Sequence, residues 1–282
     1  MKKLLAISLL FILIAVTGCK AKKEIAVDSS GLGSDKAIYE RAQKLGRRDA
    51  ERSRLLYKEI LQVYPDSVYA RKAKIGIADS YFKQKDSASM IIAASEYQEF
   101  VNLYPNSPDS IYAKFRIGRC YERQSKSAGR DQTNTKQAIK AYESLQKMYP
   151  GSEESDKADK ILKKLMDRLA QHYFSIGMAN YRLKAFKGAI DRFKQVIDNY
   201  PDFAKMGKLY YFTGKSYSML RDYDSAISFF QKIVNSLPKS KYVKGSKKNI
   251  QKLMKAKIAS DRKKPEKKDV KNKKEEETKK ED

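Results

Sequence analysis

Residues 167–203 read DRLAQHYFSIGMANYRLKAFKGAIDRFKQVIDNYPDF, and apolar positions recur in them at helical spacing twice over. Tyr173, Ile176, Gly177 and Tyr181 share one face of a first segment, and Ala189, Phe193, Val196 and Ile197 share one face of a second. A break at residues 183–185 separates the two. Tyr200-Pro201 ends the second, because proline lacks an N–H for the helix and its ring clashes with the preceding turn. The stretch predicts a helix–turn–helix hairpin. No segment of Val, Ile and Thr alternating at period two stands out, so the pattern predicts helix throughout.

The hairpin pattern recurs along the chain. Tyr64-Pro65, Tyr104-Pro105, Tyr149-Pro150, Tyr200-Pro201 and Leu237-Pro238 mark five helix ends, their prolines 40, 45, 51 and 37 residues apart. Eight residues before each proline stands a large aromatic: Tyr57, Tyr97, Tyr142, Phe193 and Phe230. Four before that, the last four copies have Ala93, Ala138, Ala189 and Ala226, and Ala78, Gly118, Gly177 and Gly214 supply a small residue earlier still. Small residues let two helices approach to about 8–10 Å, and the ring fills the space beside them. The Asp, Asn or Ser after each proline can cap the next helix.

This spacing resembles the tetratricopeptide repeat of about 34 residues. The resemblance implies an all-α, right-handed α-solenoid of five TPR-like helix hairpins over residues 36–258. Two places are longer than the repeat needs. Residues 124–135 make a long polar turn in the third hairpin, and a charged lead-in at 153–172 lengthens the helix that follows. Insertions in a solenoid map to loops and often mark a contact face.

The two ends of the chain read differently. Lys2 and Lys3, an apolar run over residues 4–16 and small residues before Cys19 have the features of a secretory signal, too short for a comfortable membrane span. Val16-Thr17-Gly18-Cys19 resembles the bacterial lipobox, in which the thiol takes a diacylglycerol and becomes the new N-terminus. Residues 1–18 are therefore expected to be a lipoprotein signal peptide, Cys19 the lipidation site, and residues 19–35 a flexible Gly/Ser-containing tether. Several acyl chains hold a protein firmly where one holds it marginally. Lipoproteins of this kind are usually kept at the inner membrane by Asp after the cysteine, so Lys20 favours a lipid-anchored place at the outer membrane, facing the periplasm. Residues 259–282 are Lys/Glu-rich with almost no apolar side chain, and read as a charged tail, disordered or transiently helical.

Net charge is +26, or +24 once Lys2 and Lys3 leave, which on its own invites a nucleic-acid partner. An exported chain does not meet the chromosome, so no nucleic acid is expected, and anionic lipid or acidic peptide takes its place. His172 is the only histidine, so a histidine metal cluster cannot be assembled, and no Ser/His/Asp arrangement is expected. No GxxxxGKS/T or GxGxxG loop is present. The carboxylates read as surface groups or caps, Asp66, Asp109 and Asp202 among them. Cys120, beside Gly118 and Tyr121, reads as a small buried hydrophobe without a disulfide partner. No enzyme, no metal site and no cofactor beyond the covalent lipid on Cys19 are expected.

In tetratricopeptide proteins the inner helices line a concave groove. The resemblance carries its positions to Lys72, Ile75 and Lys83 in the second repeat and to Tyr112, Phe115, Arg119 and Arg123 in the third. In the fourth they fall on Phe174, Met178, Tyr181 and Arg182, and in the fifth on Lys208, Tyr211 and Lys215. Cations mixed with aromatics suit an extended peptide with an aromatic residue and a terminal carboxylate.

A lipobox, a short tether and five such hairpins together resemble the BamD family of outer-membrane protein assembly lipoproteins. Its more specific marks are Asp167, Leu169, Ala170, Ile176, Gly177, Tyr181, Arg192 and Tyr200-Pro201-Asp202, with Gly129-Arg130-Asp131 resembling an Arg-Asp insertion. Tyr173 stands where the family usually has glutamate, and Phe203 where it has threonine. The resemblance implies a scaffold subunit of the β-barrel assembly (BAM) complex. Such a subunit binds a BamA-like barrel protein through its POTRA domains and recruits unfolded outer-membrane β-barrel proteins. It implies a substrate groove at Lys72, Lys83, Tyr112, Phe115, Arg119 and Arg123, and a BamA side at Arg182, Arg192, Lys208 and Lys215. The alternative is an envelope scaffold resembling the periplasmic repeat protein CpoB, tied to cell-wall and division processes. Those proteins share Tyr-Pro-ended repeats but normally lack a lipobox and carry an N-terminal coiled coil, and no heptad run precedes Lys36.

Overall fold

The computed structural model describes residues 33–46 and 48–278, with side chains through Ser260; the signal peptide and Cys19 lie outside the described residues. Among the described residues there are eleven helices and no strand. They are α1 (Asp35–Leu45), α2 (Ala50–Val63), α3 (Val68–Gln84), α4 (Ser87–Leu103), α5 (Asp109–Gln124), α6 (Thr133–Met148), α7 (Glu153–Arg182), α8 (Phe186–Asn199), α9 (Met206–Met219), α10 (Tyr223–Ser236) and α11 (Val243–Thr278). Consecutive helices pair into five hairpins, and α11 packs on the last of them. The molecule is an all-α TPR solenoid, with five apolar clusters in a row, each built only by neighbouring helices.

Each repeat mark has a packing role. Tyr57, Tyr97, Tyr142, Phe193 and Phe230 are all buried, each ring stabilising the fold by roughly 1.5–3 kcal/mol through lost water contact. Gly118, Gly177 and Gly214 face these rings across their own hairpins: a Cβ would lie 2.5 Å from Tyr142, 2.5 Å from Phe193 and 3.0 Å from Phe230. In the second hairpin Ala78 is buried in the cluster of Tyr97. That helix also has a glycine, Gly76, which meets a ring of the preceding hairpin instead, with 2.7 Å between a Cβ and Tyr57.

At four of the five proline turns the cap is a serine two places after the proline. Ser67 Oγ accepts from the Tyr69 N–H at 3.0 Å, Ser107 from Asp109 at 3.3 Å, Ser152 from Ser155 at 3.2 Å and Ser240 from Tyr242 at 3.3 Å. Asp66 and Asp202 sit exposed in their turns, and Asp109 opens α5 in its first turn. The turns inside three hairpins place Lys85, Lys184 and Arg221 in the left-handed region, at φ 68°, 60° and 62°.

The lead-in at 153–172 forms the first part of α7, a single helix of 30 residues. Its N-terminal half buries Ala158, Leu162 and Leu165 against α6, and its C-terminal half buries Ala170 and Phe174 against α8 and α9. One helix thus joins the two halves of the solenoid. The polar insertion before α6 closes on itself: Gln132 is buried and donates to the Ser127 and Arg130 carbonyls at 2.8 and 2.9 Å. It docks on α7 through Ala128 O, 2.7 Å from His172 Nδ1. At the C-terminus the helix runs on past residue 258 to Thr278, where the sequence reads as a disordered or transiently helical tail. Lys and Glu are good helix formers, and the packed turns before them supply the nucleus.

Candidate functional site

First helices of successive hairpins approach one another, α1 to α3, α5 to α7 and α7 to α9, which gives the solenoid an inner face. On α3 the 3–4 residue spacing of Lys72, Ile75, Gly76, Asp79 and Lys83 puts them on one stripe of that face. With Tyr39 and Gln43 from α1 and Ser53 and Tyr57 from α2 they line a cleft of about 340 Å³. Gly76 lets the Tyr57 ring lie directly against α3, since a Cβ there would sit 2.7 Å from that ring. Lys72 and Lys83 lie at its two ends, with the Lys72 ammonium 5.1 Å from the Tyr69 centroid.

Between the lysines the cleft holds one carboxylate. Asp79 accepts hydrogen bonds from the Tyr97 hydroxyl and, at 2.8 Å, from the Tyr112 hydroxyl, and Arg116 Nη2 lies 3.4 Å from it. Arg116 Nε also donates to the Tyr97 oxygen at 3.3 Å. Burial, and then the negative charge of Asp79, push the Tyr97 hydroxyl well above its ordinary range and that of Tyr112 up to about 12. Both tyrosines therefore remain donors at neutral pH.

The guanidinium groups of Arg116 and Arg123 lie 3.8 and 3.9 Å from the centroid of buried Phe82, and Arg123 Nη1 donates to the Phe82 carbonyl at 3.2 Å. Desolvation, followed by the charges of Arg119 and Arg116, lowers the pKa of Arg123. Arg119 is engaged by Glu122 at 2.6 Å, and the same carboxylate accepts from Tyr142 at 2.9 Å. Phe115 packs against Tyr142, ring centroids 5.7 Å apart, and so belongs to the core of the third hairpin as much as to its surface.

The structure thus brings Lys72, Ile75 and Lys83 into one cleft and places Tyr112 and Arg123 beside it through Asp79 and Phe82. Arg119 and Phe115 are turned to internal contacts. In the C-terminal half, Arg182 stands at the end of α7, and Arg192 is exposed on α8 with Nη1 donating to Gln195 at 3.0 Å. Lys208 and Lys215 are half-buried on α9, the first 5.6 Å from the Phe174 centroid. The sequence reading passes over Asp79 and Arg116, although Asp79 follows Lys72 by seven residues as Arg119 follows Tyr112.

The residues that carry the family resemblance have local work. Leu169 and Ala170 are buried, Asp167 accepts from the Ala204 N–H at 2.8 Å, and the Tyr181 ring meets Phe212 edge-on at 5.1 Å. Asp131, in the insertion, accepts from the Thr133 N–H at 3.2 Å and from its hydroxyl at 2.8 Å at the entry to α6. Tyr173 stacks on Tyr200 at 6.2 Å. Cys120 is fully buried and free. Among the described residues no group of His, Cys, Asp or Glu could hold a metal, and no helix is long and apolar enough to cross a membrane.

A family model described as YfiO, outer membrane lipoprotein, matches residues 33–221, and a tetratricopeptide-repeat model matches residues 205–240. A search of curated proteins finds no match. Among solved structures the chain is similar to the TPR2AB-domain:pHSP90 complex of yeast Sti1. Identity there is 14%, with 79% of this chain and 83% of that one covered, at a TM-score of 0.41. It is also similar to a thermophilic TPR protein of Thermus thermophilus, at 13% identity, 78% and 99% coverage and a TM-score of 0.32. A tetratricopeptide repeat protein of Parabacteroides merdae gives 14% identity, 78% and 84% coverage and a TM-score of 0.35.

Proposed function

The chain belongs to the YfiO family of outer membrane lipoproteins, and we propose that it is a non-catalytic scaffold of the β-barrel assembly machinery, held at the periplasmic face of the outer membrane by lipid on Cys19. In this reading the N-terminal repeats receive unfolded β-barrel chains, and the C-terminal repeats bind a BamA-like barrel protein through its POTRA domains. The observation that carries it is the family match, which runs from the first hairpin into the fifth.

The cleft between α1, α2 and α3 supports the substrate side. An extended peptide can set an aromatic side chain against Tyr39 and Tyr57 while its terminal carboxylate meets Lys72 or Lys83. Asp79 does not repel that carboxylate strongly, because its charge is already matched by Arg116 and two hydroxyl donors. Arg182, Arg192, Lys208 and Lys215 supply cations for the partner side, and a scaffold built from rigid repeats holds the two sides at a fixed separation.

Affinity purification from native membranes tests the reading. A large barrel protein with POTRA domains should co-purify, and depletion should lower the level of barrel proteins in the outer membrane. A clean preparation without such a partner, together with a division defect on depletion, would transfer the scaffold to cell-wall constriction.

A further inference from the structure

Residues 238–260 contain eight lysines and no acidic residue, whereas residues 261–282 mix ten basic with eight acidic side chains and are nearly neutral. The chain's excess charge at this end is therefore concentrated where α11 is packed. α11 packs on α10 on one side, and no described helix packs on its other side. Leu253 and the half-buried Ile250 pack in the apolar cluster of α10, Ser246 is buried, and Lys257 pairs with Asp224 on α10. The opposite face carries Lys244, Lys247, Lys248, Lys252 and Lys255, all exposed and none in an ion pair among the described residues. Lys239 and Lys241 in the preceding turn are exposed as well. Met254 and Ile258 stand within the same face at 46% and 55% exposure, which is large for apolar side chains on a packed helix.

We propose that this face of α11 is a second membrane contact, which docks on anionic phospholipid headgroups. Its chemistry is that of a basic interfacial helix: ammonium groups reach the phosphates while a few apolar side chains enter the acyl boundary. Lysine suits this task, since it is a flexible point charge that meets a fluid array of phosphates without fixed geometry. A folded acidic partner would instead need carboxylates placed against each lysine and an apolar recess for Met254 and Ile258. The family's attachment to the outer membrane keeps a lipid surface close at hand, so even weak docking is populated by effective concentration. The inference rests on the family's lipoprotein character and is independent of the partner protein proposed above.

The test uses the full mature chain carrying Cys19→Ser, so that any acyl anchor is absent, in flotation with phosphatidylcholine vesicles containing or lacking phosphatidylglycerol. Binding is expected to the anionic vesicles, about ten-fold or more weaker to the neutral ones, and reduced about ten-fold when salt rises from about 0.05 to about 0.3 M. Lys244→Gln/Lys248→Gln/Lys255→Gln should weaken it at least about ten-fold with an unchanged melting curve. Met254→Ser/Ile258→Ser should weaken it at both salt concentrations. Should the triple variant misfold, Lys247→Gln/Lys252→Gln and the salt series of the unaltered face decide. Equal binding to neutral and anionic vesicles, no binding at all, or insensitivity to the lysine substitutions overturns the proposal. So does capture of soluble polyglutamate as tight as that of the anionic vesicles, which assigns the face to acidic protein.

Discussion

The Ala204 N–H donates to the Asp167 carboxylate at 2.8 Å, although the two residues are 37 apart in the chain. At four other proline turns a serine two places after proline accepts an amide at the entry to the next helix. In the Tyr200-Pro201 turn that place is Phe203, whose ring is 3% exposed and 5.7 Å from Phe174. A core-filling ring occupies the serine's position, and α7 instead holds the amide that follows it, one residue before the N-cap Lys205 of α9. Asp167→Ala should therefore destabilise the protein by about 1 kcal/mol in urea unfolding, with Asp167→Asn costing less because an acceptor remains. In a Phe203→Ser background the cost of Asp167→Ala should shrink. An equal cost in both backgrounds would show that Asp167 acts some other way.

Gly177 is fixed by Phe193, because a Cβ at 177 would lie 2.5 Å from the ring and the ring is fully buried. Gly177→Ala should cost about 1–3 kcal/mol by overpacking. Phe193→Ala should cost about 3–5 kcal/mol by leaving a cavity. The two faults partly cancel when combined, so the double variant should lose less than the sum of the singles. Strict additivity in a double-mutant cycle would mean that the two sites do not touch in solution.

The repeat marks were legible because each answers to one local contact. Pro ends a helix, the aromatic eight residues earlier fills the hairpin, and Gly or Ala makes room for it. Gly76 was not legible, since its ring lies in the preceding hairpin and no spacing rule within one repeat points there. Asp79 falls between these cases. Its stripe with Lys72 and Lys83 is visible in the sequence, but its partners Tyr97, Tyr112 and Arg116 come from two other helices. Arg119 shows the converse: the repeat template places it at the groove, and a neighbouring glutamate three residues on engages it. Phe203 reads as a departure in the sequence, and its reason appears only when Phe174 and Asp167 are seen beside it.

The cleft separates stability from binding. Asp79→Ala leaves the Tyr97 and Tyr112 hydroxyls and Arg116 without their acceptor, so it should cost about 1–3 kcal/mol in thermal or urea unfolding. Lys72 and Lys83, at the ends of the cleft, bear no such load. Lys72→Glu/Lys83→Glu should leave the melting temperature nearly unchanged while weakening a peptide with a C-terminal aromatic residue about ten-fold or more, or about 1.4 kcal/mol. Unaltered peptide affinity in the lysine variant would remove the cleft from the substrate path.

Cys120 sits in the apolar cluster of the second and third hairpins, and burial pushes its thiol up to about 12, with Arg116 and Arg123 opposing that shift. At mildly alkaline pH in a Cys19→Ser background the native protein should react with a thiol reagent orders of magnitude more slowly than the urea-unfolded chain. Fast stoichiometric labelling under native conditions would show that the second and third hairpins open readily.

Alkaline pH should unfold the solenoid through its buried tyrosines. Burial raises Tyr57 to about 12, with the neighbouring Tyr39 adding to it, and burial and Asp79 raise Tyr112 to about 12, while an unfolded tyrosine titrates near about 10. Above that value the unfolded chain sheds protons that the folded chain retains. The stability these groups contribute is therefore fully present below about pH 10 and is lost as pH rises towards about 12. The tyrosinate absorbance that belongs to Tyr57 and Tyr112 should therefore rise only above about pH 10 and together with loss of helix. Tyr112→Phe removes one such group, though it also takes a hydroxyl from Asp79, so the rise that accompanies unfolding should shrink in amplitude while stability at neutral pH falls. A single titration of every tyrosine near about pH 10 with the fold preserved would contradict the burial of Tyr57 and Tyr112.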